Sequence, residues 1–494
     1  LHPGELTMSA AAAIRAEPAA GNPEILGITA DSRQVRPGFL FAALPGTKDD
    51  GRRFIAEAAA RGAVAVLAPP DTVLPPEAAH LVLVADPNPR RRLARMAAAF
   101  HPRQPATLVA VTGTNGKTSC VQFTRQLWQA LGHPAGALGT LGMVAPGLVR
   151  AGELTTADPV SLHADLAALA EAGVEHVALE ASSHGLDQHR LDGLRLAAAA
   201  FTNLTHEHLD YHGTMEAYLA AKTALFDRLL PPGATAVLNA DAEPFPALAA
   251  VAARRSLSVF SFGAAGAGIR VVDVTPQPHG QTVDLVVCGH RLRVSLPLVG
   301  RFQVWNAMAA LGLVVATGAD PRDAAGALGA LSGVRGRMEL VGTRANGAAV
   351  FVDYAHKPNA LESVLAALRP HAAGRLWVVF GCGGDRDRAK RPMMGGIAGR
   401  LADRIVVTDD NPRTEDPAAI RAAVMAGCPG ATEIGDRAAA IAHAIASLEA
   451  GDVLVVAGKG HEPYQIVGTD VRAFDDAEVA RRAIADADAT EIRA

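Results

Sequence analysis

Apolar residues along this chain fall in short runs that alternate with stretches of helical spacing, the pattern of a parallel sheet joined by crossover helices. Phe39 to Leu44, Ala63 to Leu67 and Leu81 to Ala85 read as strands, with a helix over Phe54 to Arg61. His101-Pro-Arg-Gln-Pro105 breaks the periodicity and reads as a linker. Beyond it, Leu108 to Val111, His176 to Leu179 and Ala197 to Thr202 are expected strands, and Val121, Leu127, Trp128 and Leu131 share a helical face. Asp158 and Pro159 suit the cap and first position of a helix carrying Leu162, Leu166 and Leu169. Another helix is expected over Met215 to Leu230. Between Ile269 and Leu298 the period becomes two, so Thr282 to Val287 and Leu292 to Leu296 predict a hairpin around Cys-Gly-His-Arg, and Gly300 to Asn306 opens a helix. From about Val334 a βαβ series follows, with strands at Ala349 to Val352, Leu376 to Phe380, Ile405 to Thr408 and Val453 to Ala457.

Polar motifs stand where these strands end. Val111-Thr-Gly-Thr-Asn-Gly-Lys-Thr-Ser119 joins a strand to a helix through a Gly-rich turn. Backbone N–H groups in such a turn, with the positive end of the helix, form an anion site that Lys117 and Thr118 complete. The general phosphate-loop pattern fails by one residue, since Val111 stands where its first glycine belongs and Gly113 is the glycine available. Glu180 ends its strand, where a carboxylate is either a Mg²⁺ partner for a nucleotide or a group facing water. His206, His208 and His212 crowd one loop without the cysteines of a structural zinc site. Lys222, amid alanines, reads as a solvated lysine. In the last third, Asp353-Tyr-Ala-His356, Gly381-Cys-Gly-Gly-Asp-Arg386, Asp409-Asp-Asn-Pro-Arg413 and Gly458-Lys-Gly-His-Glu462 each follow a strand, where open α/β sheets bind ligands.

The 494 residues suffice for about three domains, and 19% charged residues fit a globular protein. A net charge of −4 leaves no basic footprint for nucleic acid, so an anionic substrate must meet local cations such as Lys48, Arg52 and Arg53. Cys120, Cys288, Cys382 and Cys428 have no metal or disulfide spacing and read as free thiols filling cores in a reducing compartment. No apolar run approaches the roughly 18 residues of a membrane span, and Ala10 to Ala13 lack the basic flank of a signal peptide. A cytoplasmic enzyme is expected.

In order along nearly the whole chain, these motifs resemble the Mur ligases of peptidoglycan synthesis. The family's own phosphate loop, Gly-Thr-Asn-Gly-Lys-Thr, is reproduced by Gly113 to Thr118. The resemblance extends through Thr155-Thr156, Glu180, Ser182, Gln188, Arg190, the His208-Leu-Asp-Tyr-His-Gly run, Lys222, Arg335-Gly-Arg-Met-Glu339, Asp353 to His356 and Asp410 to Arg413. It implies an α/β protein of three domains: residues 1–102 for the uridine-diphosphate end of the substrate, 103–333 as a mononucleotide-binding ATPase domain, and 334–494 as a Rossmann-like domain for the incoming amino acid. The branch resembled adds meso-2,6-diaminopimelate to the D-glutamate γ-carboxylate of UDP-N-acetylmuramoyl-L-alanyl-D-glutamate, with ATP as co-substrate and Mg²⁺ as cofactor. A monomer is expected.

Residue by residue, the resemblance implies ATP contacts from Gly113, Thr114, Asn115, Gly116, Lys117, Thr118 and Ser119, with Asn306, Arg337, Asp353 and His356 bordering ATP from the domain interface. Ser32, Thr47, Lys48 and Asp49 would contact the nucleotide sugar, and Thr155, Thr156, Ser182, Gln188 and Arg190 its peptide. Arg386, Asp410, Asn411, Pro412, Arg413, Gly458 and Glu462 would hold diaminopimelate. Lys117, Glu180, His208 and Lys222 would carry catalysis, with Thr118, Glu180, His208 and Lys222 as a carbamate on metal. Leu154, Lys357 and Asn359 depart from the family pattern. Competing readings are a lysine-adding relative, a folylpolyglutamate synthase-like ligase, and a nucleotide-dependent regulator without catalysis.

Overall fold

The computed structural model describes residues 22–46, 49–152 and 154–493; Thr47 and Lys48 lie outside the described residues. Contacts divide the chain into two compact units, one ending at Ser261 and including Gly312–Ala319, the other Phe262–Leu311 with the chain from Asp320 onward.

The first unit opens with a four-stranded parallel sheet, in order Gly27–Thr29, Phe39–Ala42, Ala65–Ala68 and Val82–Ala85. Side chains of a strand alternate between faces. Leu40 and Ala42 accordingly join Leu93 and Met96 in one core, while Phe41 and Ala43 join Ile55 and Ala58 in another. Leu93 and Met96 belong to the helix Pro89–Phe100, which was not among the elements read from the sequence; Asn88 caps it by accepting the Arg91 N–H.

A second sheet places Thr235–Asn239, Leu196–Phe201, Thr107–Thr112, His176–Glu180 and Ala135–Gly139 side by side and parallel. Gly142–Ala145 and Leu148–Arg150 extend it antiparallel. The central strands are buried except near their starts, where Thr107 and His176 are half-buried and Ala197 is exposed, as the apolar runs predict. Because they are parallel, Thr112, Gly139, Glu180 and Phe201 all end on one edge. Helix Lys117–Ala130 follows the phosphate loop, and helix Pro159–Glu171 starts at Asp158, whose carboxylate accepts the Val160 and Ser161 N–H groups. Helix Met215–Ala224 runs into a π-helical turn, Leu225–Leu229.

In the second unit Ile269–Gln277, Gly280–Val287 and His290–Leu296 form an antiparallel meander. The expected four-residue turn shrinks to Cys288 and Gly289, with φ of 48° and 86°, the doubly positive form that suits a two-residue hairpin. Cys288 is therefore exposed, unlike the buried Cys120, Cys382 and Cys428, and is not core filler. A six-stranded sheet follows, ordered Glu339–Thr343, Ala349–Asp353, Val453–Ala457, Leu376–Phe380, Arg404–Val407 and Thr432–Glu433, antiparallel only at its first pair. Its two faces carry separate cores, one around Phe351 and Phe380, the other around Val350, Val352 and Val379.

Candidate active site

The phosphate loop is held from the neighbouring strand end. Asn203 accepts the Thr114 N–H on its backbone oxygen and the Asn115 N–H on its side chain, both at 2.9 Å, and Thr202 Oγ1 donates to Asn115 O at 2.7 Å. Gly113 has φ of 145°, and a Cβ there would lie 1.9 Å from Thr202 Oγ1, so no other residue fits. Lys117 Nζ donates to Gly113 O and Thr114 O at 2.9 and 2.8 Å. Lys222 Nζ donates to the same Gly113 O at 2.8 Å.

Lys222 is 1% exposed. The solvated-lysine expectation fails because its helix face is covered, with the amine 4.3 Å over the Tyr218 ring, whose hydroxyl meets Thr114 Oγ1 at 3.2 Å. Burial, then the charge of Lys117, pulls its pKa down to about 6. Glu180 does not face water either; it is 3% exposed. Its carboxylate accepts from Thr118 Oγ1 at 3.1 Å and from the Thr140 N–H at 2.8 Å. A Cβ on Gly139 would fall 2.2 Å from Glu180 Oε1, so that glycine makes room for the carboxylate.

Beside this pair of lysines lies a cavity of about 290 Å³ lined by Lys117, Thr155, Thr156, Ser182, Arg190, His208 and Lys222, together with Leu154, Ser183, His184 and Tyr218. Thr156 Oγ1 donates to Glu180 O and accepts the Ser182 N–H, which ties Thr156 and Ser182 to the strand end. Arg190 donates to Thr156 O and to Gln188 Oε1. His208 has φ of 57° and sets its ring 5.0 Å from that of His184. His184, Ser183, Tyr218 and Thr140 are additions to the residues read from the sequence; only their place beside Glu180 and Lys222 in space could have singled them out. Among the described residues, the His, Cys, Asp and Glu side chains close enough to share an ion are His133, Glu175 and His176, not the histidines of residues 206–212.

Of the expected nucleotide-sugar residues, Ser32 and Asp49 have protein partners. Ser32 Oγ donates to Glu57 at 3.1 Å, and Asp49 pairs with Arg53 at 2.8 Å. Arg52 pairs with Asp50 and Asp71, so both arginines of this loop are matched locally by carboxylates.

In the second unit two groups gather at the sheet edge. Asp353 accepts the Met338 and Ala355 N–H groups at 2.7 and 2.8 Å, and burial raises its pKa against the opposing charge of Arg337. Arg337 lies 4.7 Å over the Tyr354 ring, and His356 Nδ1 is 2.9 Å from Tyr354 O. Asn306 donates to Gln303, whose amide meets Arg337 O. Lys357 caps the helix Pro358–Leu368 without a side-chain hydrogen bond to it, and Asn359 is exposed.

The second group surrounds Arg413, which has φ of 53° and donates through Nη1 to Gly384 O at 2.8 Å. Asp385 accepts the Thr414 N–H and hydroxyl, and Glu415 accepts the Asp385 N–H, so the Gly383 turn and the Arg413 loop are clamped together. A Cβ on Gly383 would sit 2.9 Å from Arg413 Nη1 and 3.8 Å from Arg386 Cγ, which places both cationic side chains beside one turn. Asn411 Nδ2 donates to Glu462 at 3.3 Å. A Cβ on Gly458 would lie 2.5 Å from Asp410 Oδ2. Guanidinium groups and a carboxylate gathered at one sheet edge suit a ligand bearing both a carboxylate and an ammonium.

Three family models match the chain: Mur ligase family, catalytic domain over residues 24–101; Mur ligase middle domain over 111–314; and Mur ligase, glutamate ligase domain over 336–460. The chain is 53% identical over 479 residues to UDP-N-acetylmuramoyl-L-alanyl-D-glutamate--2,6-diaminopimelate ligase of Caulobacter vibrioides, covering 96% of this chain and 98% of that protein. It is 52% identical to the protein of that name from Bradyrhizobium diazoefficiens, covering 95% and 96%. A solved structure of a ligase of the same name superposes with a TM-score of 0.71 at 35% identity, covering 94% and 95% of the two chains. A folylpolyglutamate synthase of Mycobacterium tuberculosis, at 21% identity, TM-score 0.62 and 80% and 94% coverage, shares the fold.

The electrostatics of Lys222 have a sign that can be measured. Its folded pKa is lowered from 10.5 to about 6. Between those values the unfolded chain holds a proton that the folded chain has released, so stability rises with pH through this window and the penalty is full below about 6. The stability of the wild type minus that of Lys222→Met, from urea denaturation in carbon-dioxide-free buffer, should climb from about pH 6 to about pH 9. A difference that stays flat would mean that the folded amine keeps its proton.

Proposed function

The chain belongs to the Mur ligase family, and we propose that it joins meso-2,6-diaminopimelate to UDP-N-acetylmuramoyl-L-alanyl-D-glutamate in the cytoplasm, with cleavage of ATP. The observation that carries this reading is the full-length match, 53% identical over 96% of the chain, to a ligase of that name. The three segments 1–102, 103–333 and 334–494 then serve the nucleotide sugar, ATP and the amino acid. Among the described residues no helix is long and apolar enough to cross a membrane.

The chemistry follows from charge. An amine cannot expel oxide from a carboxylate, so ATP first converts the D-glutamate γ-carboxylate to an acyl phosphate. The amine of diaminopimelate then adds to that carbonyl, and the tetrahedral adduct collapses with loss of phosphate. Carboxylate and polyphosphate repel each other, so preorganised positive charge lowers the barrier. Lys117 supplies it at the phosphate loop. Arg190, held by Thr156 O, lines the cavity where the substrate's peptide end would bind.

The donors present suit a hard cation: Glu180 offers a buried carboxylate and Thr118 a hydroxyl 3.1 Å from it, with His208 in the same cavity wall as Lys222. These residues would hold Mg²⁺, which supplies charge neutralisation between the reacting anions. As an ammonium, Lys222 would repel such an ion. With its pKa lowered to about 6, its amine is mostly neutral near pH 7, so its nitrogen can attack carbon dioxide and lose a proton, and the resulting carbamate would offer oxygens as hard ligands for Mg²⁺.

Three outcomes test this function. Phosphate release should need the nucleotide-sugar dipeptide, and Lys117→Ala should lower it by at least about a hundredfold, since each 1.4 kcal/mol of lost transition-state stabilisation is about tenfold. Full ATP cleavage with the dipeptide omitted would sink the ligase reading. Lys222→Ala should be inactive and partly restored by formate or acetate; unchanged activity in that variant would remove the carbamate. For selectivity, a pocket built for the distal carboxylate leaves the half-buried Arg413 guanidinium without an anionic partner when lysine binds, and discrimination can reach roughly 10⁴-fold. Comparing kcat/KM for the two amino acids, the wild type should strongly prefer diaminopimelate and Arg413→Ala should lose most of that preference. Equal use of both by the wild type would defeat the assignment.

A further inference from the structure

The motif Gly458-Lys-Gly-His-Glu462 contains a residue that the proposed function leaves without a task. Lys459 is 0% exposed, and its ammonium donates to Asn411 Oδ1 at 2.8 Å, a neutral amide rather than a carboxylate. A buried cation without a directly bonded anion is costly. The same Oδ1 accepts the Ile466 N–H at 2.9 Å. Both partners of that oxygen can only donate, so the carboxamide cannot be turned round without setting its NH₂ against two donors. Asn411 Nδ2 is thereby aimed at Glu462 Oε2, 3.3 Å away.

We propose that Lys459 is a positioning residue for the amino-acid pocket: through Asn411 it fixes the carboxylate of Glu462 as the acceptor for the incoming amino acid's distal ammonium. The proposal rests on reading this pocket as the amino-acid site. Local backbone geometry supports it. The Glu462 N–H donates to Lys459 O at 3.0 Å, so one tight turn carries both residues. Gly458 and Gly460, with φ of 123° and 55°, flank Lys459, and a Cβ on Gly460 would lie 2.7 Å from Tyr354 Cβ. The turn thus packs Lys459 inward while Glu462, still partly accessible, stays at the sheet edge. Tyr354 reaches Glu462 Oε1 at 3.5 Å from the other side.

The charged groups around Glu462 give the role a pH signature. Burial and Asp410 raise its pKa; Lys459, the Asn411 hydrogen bond and Arg413 lower it, and its own charge raises the pKa of Arg437 and of the neutral phenols Tyr354 and Tyr464. Removing the Lys459 charge therefore moves the acid limb of the pH profile upward, because Glu462 must be ionised to receive an ammonium.

The test is steady-state kinetics of the full chain, with KM measured separately for each of the three substrates. Lys459→Met should raise KM for the amino acid by about 10- to 100-fold, the range for losing a charged hydrogen bond, and leave KM for ATP and for the nucleotide sugar within about twofold. Its acid limb in kcat/KM for the amino acid should move to higher pH. Lys459→Gln keeps a donor toward Asn411 without the charge; it should retain a near-normal KM at alkaline pH and still show the displaced acid limb. A folded Lys459→Met with unchanged amino-acid KM, or with all three KM values raised together, overturns the proposal. If that variant does not fold, an unmoved acid limb in Lys459→Gln overturns it instead. A wild type that uses neither diaminopimelate nor lysine would fail the pocket reading itself, which separates that failure from a failure of Lys459.

Discussion

Two lysine amino groups share one backbone oxygen, Gly113 O, and much of the first unit is arranged around that constraint. A carbonyl can accept two hydrogen bonds, but it cannot neutralise two cations. Lys117 is partly accessible and Lys222 is buried, so the cost of sharing falls on Lys222, and its proton is the one released. Tyr218 offers its ring face to the Lys222 amine, and its hydroxyl is spent on Thr114, so no formal negative charge comes from that side. The loop is left with one half-exposed cation and one buried amine whose pKa is lowered.

Glycine supplies the room for this arrangement at two positions. Gly113 lets the loop pass Thr202, and Gly139 lets the Glu180 carboxylate reach Thr118 and the Thr140 N–H. Both lie at the ends of adjacent or nearby parallel strands, where side chains converge because the strands run the same way. The clustering of Thr118, Thr140, Thr156 and Ser182 around Glu180 follows from this geometry. Each short hydroxyl satisfies a backbone or carboxylate partner without filling the cavity beside it.

The strands that end in the polar motifs were legible because each is an apolar run closed by Gly or a polar cluster, and the Asp158 cap because an acid before Pro leaves little alternative; Ala135–Gly139, Thr235–Asn239 and Glu339–Thr343 were not among the strands read. The phosphate loop was legible as an anion site even though one glycine is displaced from the general pattern. Lys222 was not. Its neighbours are alanines, which carry no strong amphipathic signal, and its burial is decided by Tyr218 and by a loop more than a hundred residues earlier in the chain. Glu180 was ambiguous for a similar reason, since Thr140 and Gly139 reach it only through strand order. The helix Pro89–Phe100 escaped because its arginine run masks the apolar spacing of Leu93, Met96 and Ala97. Roles for His208, Arg413 and Glu462 came from family resemblance; spacing alone carried none of them.

In the second unit the pair Arg437–Asp476 is fully buried, with two contacts of 2.7 Å, and Arg437 also donates to Ala457 O and Asp409 O. Stability alone is a poor explanation, because well-packed apolar residues often replace such a pair at no loss. Its two extra hydrogen bonds end on carbonyls at the ends of two different strands, immediately before Gly458 and Asp410. Those are the points from which the Lys459 turn and the Asn411 loop depart. A hydrocarbon side chain could fill the same volume but could not hold two strand-end carbonyls at fixed spacing. The buried ion pair therefore sets the distance between the loops, and Lys459 sets the orientation of the amide that spans them.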